Sequence, residues 1–377
     1  MTRRPVTWLA SLLLLGVSTG CGVDFEPASK LEKLRILAIR LTPPEARPLE
    51  TVTAEALVWV PANEAGDRPT PEYAWRACLL TANLLGGGLG ASAAETTESS
   101  CFDLPHTLTL DEVLELAASG ESDPLAGISL GDTAIDLGHA PTATLLASPL
   151  PRFDAPASFC PALPEEERID RGGRELWLAG LRLTVSLRVG LPDGATATAN
   201  KRLLIRPDPA TIPAAEQGRP FRSPRLCDAD SPTPDPCGRN DNPEPPALLT
   251  PNGEWSGEGP IPVRRGERIK LRPVPPEAEH QQPYLIIKSC GEQVTVPGLQ
   301  ATGGEVARLE SRYWSWLADG GGIVADTTSL AADLGDRDSA WDAPTDLAAG
   351  DRFTLVVLAW DGRGGVSWQQ FPLQVLP

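Results

Sequence analysis

"LRLTVSLRVGLPDGATATANKRLLIRP", residues 181–207, and "FTLVVLAWDGRGGVSWQQFPLQVLP", residues 353–377, share one plan. Each is an alternating strand, a turn carrying Asp-Gly, and a returning strand. Asp193-Gly194 and Asp361-Gly362 suit a tight reversal because glycine accepts positive φ without steric penalty. Working outward, "RPLETVTAEALVWV" (47–60) is matched by "VRRGERIKLRPV" (263–274), and "EYAWRA" (72–77) by "RYWSWLA" (312–318). The second match sets Tyr73 and Trp75 opposite Trp314 and Trp316. Three segments recurring in the same order mark a divergent internal repeat. Short strands of period two, frequent turns and a mid-domain tryptophan describe a β-sandwich, and the repeat makes two of them.

The stretches Trp314-Ser-Trp316, Trp341-Asp-Ala-Pro344 and Ala359-Trp360-Asp361-Gly362 resemble the bacterial immunoglobulin-like and PKD-like modules of exported proteins. That resemblance implies a mainly β chain of two immunoglobulin-like β-sandwiches, over 31–207 and 247–377. It implies a fold and no ligand. The first copy is interrupted over 79–173, where a long loop and a short helix are expected. "LLGGGLGASAAETTESS" (84–100) is low-complexity and reads as loop. Its glycine run matches a dinucleotide fingerprint in letters only, since no βαβ unit surrounds it. "TLDEVLELAASG" has helix punctuation, with Thr109 and Glu112 as a capping box and Gly120 as the stop. Val113, Leu114 and Ala117 would dock it on the sandwich. Loops on rigid scaffolds carry function, so an enzymatic site, if the chain has one, is expected in this interval.

Residues 1–20 carry Arg3 and Arg4, a largely apolar run from Trp8 to Val17, and small residues Ser18, Thr19 and Gly20 before Cys21. A bilayer-crossing helix needs about 20 apolar residues, so this segment reads as an export signal. It resembles the bacterial lipobox, with Ser18 where a leucine is usual, which implies lipidation of Cys21, a tether over 21–30 and an outer-membrane location. Gly16-Val17-Ser18-Thr19-Gly20 fits the G-x-S-x-G elbow in letters but lies in the segment to be removed. Removing residues 1–20 takes away two arginines and no acid, so the net charge moves from −17 to −19. Such a surface disfavours phosphate backbones, which argues against a nucleic-acid partner.

With Cys21 set aside, six cysteines remain, an even number that in an exported chain points to disulfides. Cys78 with Cys101 and Cys227 with Cys237 are the local pairs. Cys160 and Cys290 are left either joined or as two thiols. No C-x-x-C spacing occurs and the three histidines are scattered, which leaves zinc without a ligand set.

Residues 208–246 are proline-rich and acidic, so no regular ladder runs through them and they read as a linker. Within them, Asp228, Asp230 and Asp235, followed by Asn240, Asp241 and Asn242, offer oxygens at spacings suited to calcium. The last three resemble the cadherin interdomain run. The other reading is a solvated linker pinched by Cys227–Cys237. No other cofactor is expected.

Strand parity separates two further faces. Leu181, Leu183, Val185, Leu187 and Val189 face one way, with Arg182, Thr184, Ser186 and Arg188 on a solvent face. Phe353, Leu355, Val357 and Ala359 make a core face. Val356, Leu358 and Trp360, extended by Trp368, make the opposite face apolar as well. A strand apolar on both sides needs a second covering: the first domain, a loop, or an envelope protein or glycan. No nucleophile–base pair or paired carboxylates stand out. The function expected is a non-catalytic binding or structural module at the envelope, with an accessory subunit of an envelope complex or an enzyme as alternatives.

Overall fold

The hairpin that fixes the reading is β8 (Leu181–Gly190) with β9 (Thr196–Ile205), paired from Leu181↔Ile205 to Gly190↔Thr196. At its turn Gly194 has φ of 89°, and Asp193 Oδ1 accepts the Ala195 N–H at 2.9 Å. The computed structural model describes residues 29–63, 65–78, 100–109, 111–112, 133–147, 163–206, 238–250, 253–255, 259–274, 281–287, 305–330 and 338–376.

The other first-domain strands are β1 (Arg35–Thr42), β2 (Glu45–Ala46), β3 (Thr51–Trp59), β4 (Glu72–Cys78), β5 (His106–Thr109), β6 (Thr133–Gly138) and β7 (Thr142–Leu146). They form a sheet of order β1-β3-β7 facing one of order β2-β9-β8-β4-β6-β5. Between the sheets lie Leu41, Val52, Trp75, Val185, Leu187 and Leu203, all fully buried.

The second domain contains β10 (Leu248–Thr250), β11 (Gly253–Glu254), β12 (Ile261–Val263), β13 (Arg268–Pro273), β14 (Pro283–Ile287), β15 (Glu305–Leu309), β16 (Tyr313–Ala318), β17 (Gly322–Ile323), β18 (Thr327–Ser329), β19 (Ser339–Asp342), β20 (Arg352–Trp360) and β21 (Val366–Val375). Its sheets run β11-β10-β13-β19-β17 and β12-β21-β20-β16-β18, with β14-β15 a separate hairpin. The repeat read in the sequence is therefore one of topology. The order β2-β9-β8-β4 recurs as β12-β21-β20-β16, and each begins with a parallel pair, β2 with β9 and β12 with β21. Likewise β1-β3-β7 recurs as β10-β13-β19.

Buried tryptophans seat both cores. Trp75 donates Nε1–H to the Ala140 carbonyl at 2.9 Å, and Trp316 to Thr328 Oγ1 at 2.9 Å. Trp341, fully buried, donates to the Gly320 carbonyl at 2.8 Å. Each ring buries a large apolar body while its one polar atom is paired, which makes tryptophan tolerable in a core.

The interval 79–173 is more than an insertion. Its strands β6 and β7 complete the two sheets, and Ala134, Ala143 and Leu145 lie in cores. A helix unforeseen from the sequence, α1 (Glu165–Ala179), leads into β8. Thr109 and Glu112 do form the reciprocal capping bonds: the Glu112 N–H donates to Thr109 Oγ1, and Glu112 Oε2 accepts the Thr109 N–H. Val113, Leu114, Ala117 and Gly120 lie outside the described residues.

The polar face of β8 is open to solvent only in part: Arg182 and Arg188 are exposed. Thr184 and Ser186 are buried under a 3-10 turn at Cys101–Asp103, whose Cys101 N–H donates to Ser186 Oγ at 3.0 Å. The Cys78–Cys101 disulfide holds that turn against β4. Period-two parity sorts a strand into two faces without saying which of them a later loop covers. Cys21, Cys160, Cys227, Cys237 and Cys290, with Asp228, Asp230 and Asp235, lie outside the described residues.

The Cys78–Cys101 bond closes a loop with a sequence separation of 23. In the chain-entropy model a loop of that size is worth about 3 kcal/mol. Replacing both cysteines with serine should lower stability by about that amount in chemical denaturation. It should also raise amide exchange at Ser186 and Cys101 before the rest of β8.

Candidate functional site

Two of the groups singled out for function, the outer face of β20 with Trp368 and the Asn240–Asn242 run, meet at the junction between the sandwiches. The outer face of β20 carries Val356 and Leu358, both buried, and Trp360, which is partly buried. Leu317 of β16 and Trp368 of β21 adjoin them. Opposite stand Leu31, Ala38, Leu57 and Trp59, from β1, β3 and the approach to them. The two domains thus pack sheet on sheet and share a third hydrophobic core.

Of the covers left open by the sequence, the first domain is the one used. Val356, Leu358, Trp360 and Trp368 are no open platform for a glycan or partner protein, because the first domain covers them. The physical reason is the one parity gave: a strand apolar on both faces cannot leave one in water. Aromatic edges are finished by cations, with the Arg40 guanidinium 4.6 Å from the Trp368 ring centroid and the Lys201 ammonium 5.3 Å from that of Trp360. Tyr313 stacks on Trp360, and Trp360 Nε1 donates to Ser315 Oγ at 3.2 Å.

The Asn240-Asp241-Asn242 run lies at one end of this core, and all three side chains are engaged by protein. Asn240, 1% exposed, donates Nδ2–H to Asp361 Oδ2 at 2.9 Å. Asp241 Oδ2 accepts from Gln282 at 2.8 Å. Asn242 donates to the Leu41 carbonyl at 2.7 Å in the first domain and accepts the Val366 N–H at 3.0 Å in the second. The run that resembled a calcium ligand set acts here as a hydrogen-bonded clasp. No group of three or more His, Cys, Asp or Glu suited to a metal occurs among the described residues.

Around the clasp lies an ion network. Arg363, in the turn opened by Asp361, reaches Glu310 at 3.0 Å and Glu45 of the first domain at 3.4 Å. Arg206 reaches Glu45 at 3.1 Å, and Arg312 reaches Glu310 at 3.6 Å. Asp361 shapes the turn itself, with Oδ1 accepting the N–H groups of Arg363 at 2.7 Å and Gly365 at 2.9 Å. A Cβ on Gly365 would stand 2.1 Å from Asp361 Oδ2, so only glycine fits there. Burial pushes the Glu310 carboxyl above its usual range, with the Asp361 charge adding to it and Arg363 and Arg312 opposing. Burial likewise lowers the Lys201 ammonium to about 8, partly offset by Asp361.

Sequence reasoning missed Glu45, Glu310, Arg312 and Arg363. Single charges in different segments carry no spacing signal until the fold unites them. The arrangement is a braced joint: Arg206–Glu45 pairs within the first domain, Arg312 and Arg363 with Glu310 within the second, and Arg363–Glu45 ties the two sets together.

No protein-family model and no characterised relative matches the chain. Among solved structures it is similar to murine CEACAM1b at 6% identity, covering 90% of this chain and 100% of that one, with a TM-score of 0.18. A 1.5-MDa bacterial ice-binding adhesin studied for host cell surface retention matches at 10% identity over 92% of this chain and 65% of that one, TM-score 0.19. SGBP-B of a Bacteroides ovatus mixed-linkage glucan utilization locus, solved with a mixed-linkage heptasaccharide, matches at 8% over 91% and 70%, TM-score 0.19. The class defined by the geometry above is a mainly β protein of two sandwiches fused face to face.

Two outcomes test the joint. Leu358→Asp places a charge in the shared core and leaves each sandwich's own core intact. It should split one thermal transition into two and enlarge the radius of gyration in small-angle scattering. An unchanged single transition would show that this face does not hold the domains. For Lys201, the folded pKa of about 8 lies below the 10.5 of a free lysine, so between those values the unfolded chain holds more protons. The contribution of this group to stability therefore rises as pH rises through that window. Lys201→Met should be the more stable protein at pH 7, by up to about 3 kcal/mol, with the advantage shrinking toward pH 10.5.

Proposed function

We propose that this chain is a non-catalytic envelope lipoprotein, held at the outer membrane by lipid on Cys21. In this reading it serves as a rigid structural or binding module. The observation that carries it is the shared core of Val356, Leu358, Leu57 and Trp59, which makes two modules into one body. A module that binds through flexible tandem domains has no use for burying its apolar faces internally. A scaffold that must hold a fixed shape between an anchor and a partner does.

The sequence supports the anchor through the short apolar run, the small-residue exit and Cys21. It supports an envelope partner through the strongly acidic surface, which disfavours nucleic acid. A second reading, an accessory subunit of a larger envelope complex, is favoured by the β14–β15 hairpin. A two-stranded ribbon is marginal alone, and this one lies outside both sandwich sheets, against α1, with Leu309 56% exposed.

Fractionation of cells producing the intact precursor tests the anchor. The wild-type chain should partition with the outer membrane and carry a lipid-modified N-terminal cysteine by mass spectrometry. Cys21→Ser should abolish the modification and the partitioning together. A Cys21→Ser chain processed normally and still membrane-bound would end this reading.

A further inference from the structure

The outer face of the first domain's larger sheet holds two arginines against one aromatic ring. Arg76 of β4 and Arg188 of β8 lie on that face, because their chain neighbours Trp75, Ala77, Leu187 and Val189 fill the core. Phe102, in the turn Cys101–Asp103, has its ring centroid 4.3 Å from the Arg188 guanidinium and 4.9 Å from that of Arg76. The ring's place is fixed from below. Cys101 beside it is bonded to Cys78 and donates its N–H to Ser186 Oγ at 3.0 Å. Ser186 in turn donates to Asn200 Oδ1 at 2.7 Å.

What sets these two arginines apart is that they are ordered without an anion. The chain has 50 acidic residues to 33 lysines and arginines, so carboxylates are plentiful, and several ordered guanidiniums take one. Arg268 takes Asp342 with bonds of 2.6 and 2.7 Å, and Arg272 takes Asp338 with two of 2.8 Å. Among the described residues no carboxylate pairs with Arg76 or Arg188, and the ring is what holds them. The nearby acids are engaged by backbone. Asp136, opposite Arg76 in the β4–β6 register, accepts the Gly138 N–H at 2.8 Å, and Asp103 accepts the Ser100 N–H at 2.9 Å. Glu72 of β4 makes no ion pair among the described residues. Further along the face the same sign prevails: burial, and then the Arg202 charge, lower the pKa of Arg182.

We propose that Arg76, Arg188 and Phe102 form a binding site for an oxyanion, the oxygen fork of a phosphate or a carboxylate. Contact with a ring face uses a cation's charge and occupies none of its five N–H donors, which stay available to such a fork. Ordering the arginines beforehand removes side-chain entropy that binding would otherwise cost. Two like charges centred on one ring also repel each other, and an anion taken up there relieves that repulsion. The net negative charge of the molecule weighs against a long polyanion more than against a single such group.

The test is calorimetric titration of the processed chain at low ionic strength with inorganic phosphate and, separately, with succinate. Saturable one-to-one binding of either is expected, the tighter of the two naming the group the site takes. Arg76→Gln and Arg188→Gln should each weaken it at least five-fold. Phe102→Leu keeps both charges and should weaken it several-fold as well. Arg268→Gln, which removes an equal charge from the second domain, should leave it unchanged, with the thermal transition of every variant confirming its fold. Absence of saturable binding by both anions overturns the site. So does a Phe102→Leu protein that binds as tightly as the natural one, since the arginines would then be a loose positive patch. Equal losses from Arg268→Gln and Arg188→Gln overturn it too, as anion uptake would then be general to the surface.

Discussion

A sheet that is apolar on both faces dictates the architecture of this protein. β20 sends Leu355 and Val357 into its own sandwich and Val356 and Leu358 outward, and all four are buried. The outward pair can leave water only if another sheet lies over it. The sheet that does so, β1-β3-β7, is the smaller of its domain and presents Ala38, Leu57 and Trp59. Four layers follow from that one requirement. Apolar surface removed from water contributes about 25 cal/mol per Å², and the shared core is where that contribution favours the closed joint.

The polar half of the joint contributes something different. Desolvating Glu45, Glu310 and Arg363 is unfavourable, and their mutual attraction roughly offsets that. Their effect is on register: an apolar face tolerates sliding, whereas Asn242 bonded to Leu41 on one side and Val366 on the other does not. Removing one partner of such a set leaves a buried charge unanswered, which is strongly unfavourable. The apolar contact holds the domains together and the polar clasp fixes how they meet.

Much of this was legible in the residues. The paired hairpins, the core tryptophans and the Cys78–Cys101 bond all rest on local periodicity or short separation, which a sequence displays directly. Parity also showed that Val356, Leu358 and Trp360 needed a cover, but a period cannot name what supplies it. The Asn240-Asp241-Asn242 run supports two readings in the sequence for a chemical reason, since oxygens that satisfy a domain joint have the same composition as oxygens that ligate calcium. β6 and β7, rich in alanine and threonine, lack the bulky apolar alternation by which strands are recognised. In α1 the pair Gly172-Gly173 argues against a helix, although Glu165–Glu167 at its start and Gly180 after its end argue for one.

Leu31, buried in the shared core, donates its N–H to the Ala318 carbonyl at 3.0 Å, and the Ala318 N–H donates to Ser29 at 2.9 Å. This clip joins the first described residues to a strand made almost three hundred residues later. Every contact that the shared core makes between the domains has a similarly long sequence separation, and long-range pairing of this kind forms slowly. A chain emerging from its N-terminus first completes the β1–β3 ladder well before β20 exists. For that interval Leu57 and Trp59 stand bare on a finished sheet, and the closing of the joint is the last act of assembly. The feature that makes the mature protein one body thus makes the nascent one dependent on staying soluble until its C-terminal hairpin arrives.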